Sequence, residues 1–186
     1  MENKLDINSF KELYSWLEKN HNIKEYIWVN AKRGRPNNKE FNYIDAVYCA
    51  LCFGWIDSTC KNIEGKTYQK LMPRSKNSHW SYLNIERCNY LIEKGLMKKQ
   101  GIKVMPKYFD PLEENKDIIK ILKGDNQVWK NFNEFPKLYQ RIRIDNIIWA
   151  KKNKDLYNKR LAKLIQTTRE NKMYGQWNDY GKLKEE

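Results

Sequence analysis

Phe10, Leu13, Tyr14 and Leu17 recur at three- and four-residue spacings, the period of one apolar face of an α-helix. Ser9 stands just before this stripe and Glu12 three residues after Ser9, a capping box in which hydroxyl and carboxylate satisfy first-turn N–H groups. The helix is expected to end near Asn20. From Tyr26 to Lys32 the pattern alternates around Ile27, Trp28 and Val29, as in a strand. Arg33-Gly34-Arg35-Pro36-Asn37-Asn38 reads as an exposed turn. A second helix is expected from Asn42 or Tyr43 to Gly54, a C′ glycine. It is apolar on most sides, which predicts the central, most buried helix. Trp55–Cys60 and Thr67–Met72 read as two strands joined by a turn at Asn62–Lys66. Pro73–Ser78 is a basic loop, and a helix follows from about His79 or Ser81 to Lys94, stopped by Gly95.

Beyond Pro106 the period is helical. A loop is expected over Pro106–Asn115 and short helices over Lys116–Leu122 and Asn126–Asn131. Pro136 suits the first turn of a long helix reaching about Lys152. A last helix is expected from Asp155 to Lys172, with Leu156, Leu161, Leu164, Ile165 and Thr168 turned inward. From Met173 to Lys184-Glu185-Glu186 no period is visible. The pattern predicts an α+β fold: a small antiparallel sheet packed with helices over residues 1–105, an all-helical part over 106–172, and an irregular tail over 173–186.

Composition adds limits. A chain of 186 residues, 40% apolar and 13% aromatic, can bury roughly 70% of its unfolded surface and needs no metal or disulfide for stability. The start, Met1-Glu2-Asn3-Lys4-Leu5-Asp6, lacks the apolar core of a secretory signal. The longest apolar run, Ala46–Ile56, falls short of the ~20 residues of a membrane span. A cytoplasmic protein is therefore expected, with Cys49, Cys52, Cys60 and Cys88 as thiols. Cys49 and Cys52 form a C-x-x-C inside an apolar helix rather than at a helix start, where a thiolate would be stabilised. Cys60, His79 and Cys88 are too irregularly spaced to complete a zinc set. Neither metal nor cofactor is expected.

The net charge of +13 attracts polyanions, nucleic acid or anionic surfaces. A lysine- and asparagine-rich composition is also what an AT-rich genome produces whatever the function, so both readings stand.

The stretch Ala50-Leu51-Cys52-Phe53-Gly54-Trp55-Ile56-Asp57 resembles the signature of the YdeI/OmpD-associated (bacteriocin-protection) family. Pro73-Arg74, Ser78-His79-Trp80-Ser81-Tyr82-Leu83-Asn84, Glu86-Arg87, Gly95-Leu96-Met97 and Gly101 continue the resemblance in order. Phe132–Pro136 and Ile148-Trp149-Ala150-Lys151-Lys152 are similar to its C-terminal helical part, so the resemblance spans about residues 8–172. Ser58 stands where the family has Gly, and Lys154-Asp155-Leu156 where it has Glu-Thr-Arg. The resemblance implies association with protection against bacteriocins or antimicrobial peptides, and no established reaction.

Trp80, Asn84, Arg87 and Leu91 are spaced i, i+4, i+7, i+11 and would share one helical face, with Ser81, Ile85, Cys88 and Ile92 on the adjacent core side. An aromatic plate beside an amide and a guanidinium can grip a planar or anionic group. Trp55, Asp57 and Arg74 join them as candidate ligand-binding residues. A purely structural role, with Arg74 or Arg87 bracing Asp57, stands beside that reading. In the C-terminal helices, Lys151, Lys152, Lys159, Arg160 and Lys163 are candidate nucleic-acid contacts, interleaved with Tyr139, Trp149 and Tyr157. P-loop, G-x-G-x-x-G, G-x-S-x-G and His-Glu-x-x-His patterns are absent from the sequence. Three functions remain in order: a non-catalytic protein binding an anionic ligand or partner, a nucleic-acid-binding module, and an enzyme on a small anionic substrate. In the third, Asp57 would be acid or base and Arg74 and Arg87 anchors.

Overall fold

Ser9 caps the first helix as its sequence predicts: its hydroxyl accepts the Glu12 N–H at 3.2 Å, and Glu12 in turn accepts the Asn8 N–H at 2.9 Å. The helix, α1 (Phe10–Asn20), buries Leu13 and Leu17. The computed structural model describes residues 2–37 and 40–183. Asn38 of the expected turn, and Lys184, Glu185 and Glu186 of the expected tail, lie outside the described residues. The fold is α+β. The chain divides into two compact units, one of residues up to His79 with Asn84–Pro106, the other of Trp80–Leu83 with residues from Lys107 on.

In the first unit a four-stranded sheet has the order β1-β2-β4-β3, with β1 at Lys4–Leu5, β2 at Ile27–Asn30, β3 at Trp55–Ile63 and β4 at Lys66–Pro73. The β2–β4 and β3–β4 pairs are antiparallel as expected. β1 pairs with β2 in parallel, so the sheet is mixed. A two-residue strand is too short to show an alternation, which is why the sequence concealed it. Glu64 and Gly65 join β3 to β4, both at positive φ (51° and 77°), the backbone of a two-residue hairpin turn matched to strand twist. β3 carries a bulge between Asp57 and Cys60. The fully buried Gln69 supports it, donating from Nε2 to the Thr59 carbonyl at 3.1 Å.

α2 (Tyr43–Cys52) opens with a complete capping box of Asn42 and Asp45 and buries Ile44 and every residue from Ala46 to Cys52. It is the buried helix that its composition predicts. α3 (Tyr82–Glu93) begins next to Ser81, the later of its two expected starts. α4 (Lys99–Val104) was not visible in the sequence. At six residues it is too short to display a periodic stripe. Gly101 lets it approach the end of α2, for a Cβ there would stand 2.6 Å from the Cys52 carbonyl oxygen.

The second unit is helical. α5 (Pro111–Glu114) interrupts the expected loop, with Asp110 as N-cap and Pro111 in the first turn. α6 (Lys116–Lys123), α7 (Asn126–Glu134), α8 (Lys137–Trp149) and α9 (Lys154–Arg169) follow close to their expected places. Their core gathers Leu122, Val128, Phe132, Tyr139, Ile147 and Leu164. In α9 only Leu164 and Thr168 of the expected inward set are fully buried, while Leu156, Leu161 and Ile165 are half-buried. Asp110 accepts from Arg141 Nε at 2.9 Å and from the Leu112 N–H at 2.9 Å. Burial pushes its carboxyl up, but Arg141 and the backbone donor outweigh that and hold it below the usual carboxylate range. The segment after α9, expected to be irregular, carries a short 3-10 helix at Asp179–Gly181, and its Tyr174 and Trp177 lie against the core.

Candidate functional site

The pairing of Lys32 with Asn42 sets the Arg33 loop beside the first residue of α2. There the Arg33 guanidinium lies 4.5 Å from the Tyr43 ring centroid, and its Nη2 donates to Gln69 Oε1 at 2.8 Å. The Tyr43 hydroxyl donates to Asp57 Oδ2 at 2.6 Å. Burial pushes the Tyr43 phenol up and Asp57 pushes it further, while Arg87 and Arg33 pull against them. Arg74 is 8% exposed and donates from Nη1 to the His79 carbonyl at 2.8 Å. Burial lowers its pKa, with Cys88 and Asp57 opposing. Arg87, also 8% exposed, donates to Asn84 Oδ1 at 2.8 Å and lies 5.8 Å from the Tyr48 ring centroid. Three guanidinium groups therefore act on a single tyrosine–carboxylate pair. Such a grouping is suited to an oxyanion, because arginine offers paired donors to paired oxygens.

Asp57, Arg74, Asn84 and Arg87 all belong to the first unit, and Asp57, Arg74 and Arg87 meet in one electrostatic neighbourhood. Two other candidates do not. Trp55 is 1% exposed and donates its indole N–H to the His21 carbonyl at 3.3 Å, so it is a core residue. Trp80 precedes α3 and belongs to the second unit. The helix starts at Tyr82, so Trp80 drops out of the expected face, while Asn84, Arg87 and Leu91 keep its helical spacing. Of the expected core side, Ile85 and Cys88 are buried, while at the end of the helix Leu91 is buried at 1% and Ile92 is 44% exposed, the reverse of the expectation there.

Three of the four cysteines are buried thiols, and Cys60 is exposed, out on β3. Burial pushes Cys88 up to about 12 against the pull of Arg74 and Arg87, and it drives Cys49 up as well. Among the described residues no group of three or more His, Cys, Asp or Glu side chains is arranged to hold a metal ion. Among them no helix is long and apolar enough to cross a membrane. A cleft of about 310 Å³ lies elsewhere in the first unit, between β1 and α1, lined by Asp6, Glu12, Trp16 and Lys19.

In the second unit Lys151 and Lys152 sit exposed in the turn after α8, and Lys159 and Lys163 are exposed on α9. Arg160 is half-buried, donates to the Asn146 carbonyl and lies 5.3 Å from the Trp149 ring centroid.

Residues 5–104, more than half of the chain, match the model of a family described as a domain of unknown function (DUF8412). The chain belongs to that family. Residues 111–171 match the model described as bacteriocin-protection, YdeI or OmpD-associated, so the resemblance to that family holds over this part of the chain. No curated protein and no solved structure matches significantly. Asp57, Arg74 and Arg87 lie in the DUF8412 domain, as do Tyr43 and Arg33, which sequence reasoning missed. Lys151, Lys152, Lys159, Arg160 and Lys163 lie in the segment matched by the bacteriocin-protection family.

Proposed function

We propose that this chain is a non-catalytic cytoplasmic protein that binds an anionic ligand or partner and takes part in protection against bacteriocins or antimicrobial peptides. The observation that carries the binding reading is the Tyr43–Asp57 hydrogen bond with Arg33 stacked on the Tyr43 ring and the largely buried Arg74 and Arg87 in the same electrostatic neighbourhood. The match of residues 111–171 supports the protective role. The groups near this cluster are held in unreactive forms, which favours binding over catalysis. Tyr43 stays a phenol that already donates to Asp57. Cys88 stays a thiol, whereas a nucleophile requires the thiolate.

Thermal unfolding with pyrophosphate or citrate tests the proposal. A ligand at about a hundred times its Kd stabilises by about 2.7 kcal/mol, which raises Tm by about 5 to 10 °C in a chain of this size. The wild type is expected to show a rise of this order with at least one of the two anions, and Arg33→Gln, an exposed substitution, to lose it. No rise with either anion, or an equal rise in the variant, counts against the site.

A further inference from the structure

Arg143, on α8 in the second unit, is held in place without a counter-charge. Its guanidinium carbon lies 5.3 Å from the Tyr139 ring centroid and 4.7 Å from that of Tyr174. Its two terminal nitrogens press on Gly175, where a Cβ would stand 3.1 and 3.2 Å from them. Nε is buried with no hydrogen-bond partner, and no carboxylate among the described residues pairs with the group. Lys163 on α9 places its ammonium 4.7 Å from the same Tyr174 ring, so two cations share one aromatic plate.

The rest of the unit shows what a bracing cation looks like. Arg141 is paired with Asp110 at 2.8 Å, Arg169 with Asp125 at 2.8 Å, and Lys172 with Glu170 at 3.0 Å. Arg143, Arg160 and Lys163 have no acidic partner among the described residues. Between Lys151 and Lys172 the sequence places eight Lys and Arg against Asp155 and Glu170 alone. Arg160 and Lys163 are three apart on α9 and so neighbours on its surface. Beside Arg160 stands Trp149, 57% exposed. Cations spaced along a ridge, with aromatic faces between them, fit a chain of phosphates carrying stackable bases.

We infer that Arg143, Arg160 and Lys163, with the rings of Tyr174 and Trp149, form a binding surface for the phosphodiester backbone of single-stranded nucleic acid. Arg143 meets one phosphate with its planar fork, Lys163 and Arg160 meet its neighbours, and Trp149 offers a face to a base. A guanidinium packed against two rings that touch each other has given up part of its side-chain freedom before binding, so the contact costs less ordering.

The test is fluorescence anisotropy of a labelled single-stranded oligonucleotide with the full chain, at about 50 and about 200 mM salt. Binding is expected at the lower salt, weakening steeply at the higher. The slope of log affinity against log salt is expected to fall by about 0.7 for each cation removed. Arg143→Gln is expected to weaken binding about tenfold, and Arg143→Lys substantially, since an ammonium lacks the fork. Should Arg143→Gln fail to fold, the surface double variant Arg160→Gln/Lys163→Gln carries the test, with an expected loss of at least tenfold. Arg33→Gln is expected to bind as the wild type does, which separates this surface from the anion site of the first unit. Absence of binding, equal loss in Arg33→Gln, or pyrophosphate bound through Arg143 with no oligonucleotide bound would each overturn the inference.

Discussion

Tyr139 shows how much a single buried phenol settles. Its ring is fully buried and meets Phe135, Tyr174 and Trp177 edge-on at 5.4, 6.2 and 5.8 Å. Burial pushes its hydroxyl up to about 12, Tyr174 adds to this, and Arg143 opposes it. The folded value lies above the unfolded one of about 10, so the neutral phenol is favoured in the native state. Its contribution to stability is complete below pH about 10 and is lost as pH rises toward about 12. The stability of the wild type relative to Tyr139→Phe, from urea unfolding, is therefore expected to decline over that interval. A constant difference would contradict this account. Asp57, Arg74 and Arg87 were legible as candidates because they stand in the stretches that carry the family resemblance and, for Arg87, at helical spacing from Asn84. Tyr43 and Arg33 were not, since only the pairing of Lys32 with Asn42 brings their segments together. Trp55 was misplaced for a related reason: the sequence shows an alternation but not which of its two faces meets the core.

At the scale of elements, α2 was legible from end to end, because an apolar body and a C′ glycine agreed. α3 shows the opposite case. A helical spacing drawn from Trp80 assumes a start that the backbone does not make, and once the helix begins at Tyr82 only Asn84, Arg87 and Leu91 remain on the face it implies. The contact between α4 and α2 depends on one missing side chain. At Gly101 a Cβ would stand 2.6 Å from the Cys52 carbonyl oxygen and 2.7 Å from that of Leu51. Both are backbone atoms that cannot swing away, so Gly101→Ala forces the helices apart at a cost of about 3 kcal/mol. Gly65, in the β3–β4 turn, has open space but a φ of +77°, and Gly65→Ala there costs about 1 kcal/mol through backbone strain alone. Denaturation of the two variants side by side checks the ranking. A larger loss for Gly65→Ala would remove the packing argument.

Across the whole molecule the net charge is +13, and it bears on how the proposed protective role would operate. Many bacteriocins and antimicrobial peptides are cationic, and like charges slow encounter and oppose binding. Direct capture of a cationic peptide is expected to be undetectable by calorimetry at about 50 mM salt, where attraction to polyanions is strongest. A tight complex with such a peptide would show that local carboxylates prevail over the overall charge. Protection would then run through direct sequestration rather than through an anionic partner.

Local chemistry was readable along the chain because it depends on near neighbours. Capping residues, stop glycines, the periods of α1, α2 and α6 to α9, and the α+β class all follow from contacts within a few residues. The parallel β1, the bulge after Asp57, the approach of α4 on Gly101 and the packing of Arg143 against two rings required tertiary structure. Each of these joins residues far apart in sequence, and neither spacing nor hydropathy records whether a distant carboxylate arrives to pair with a given arginine.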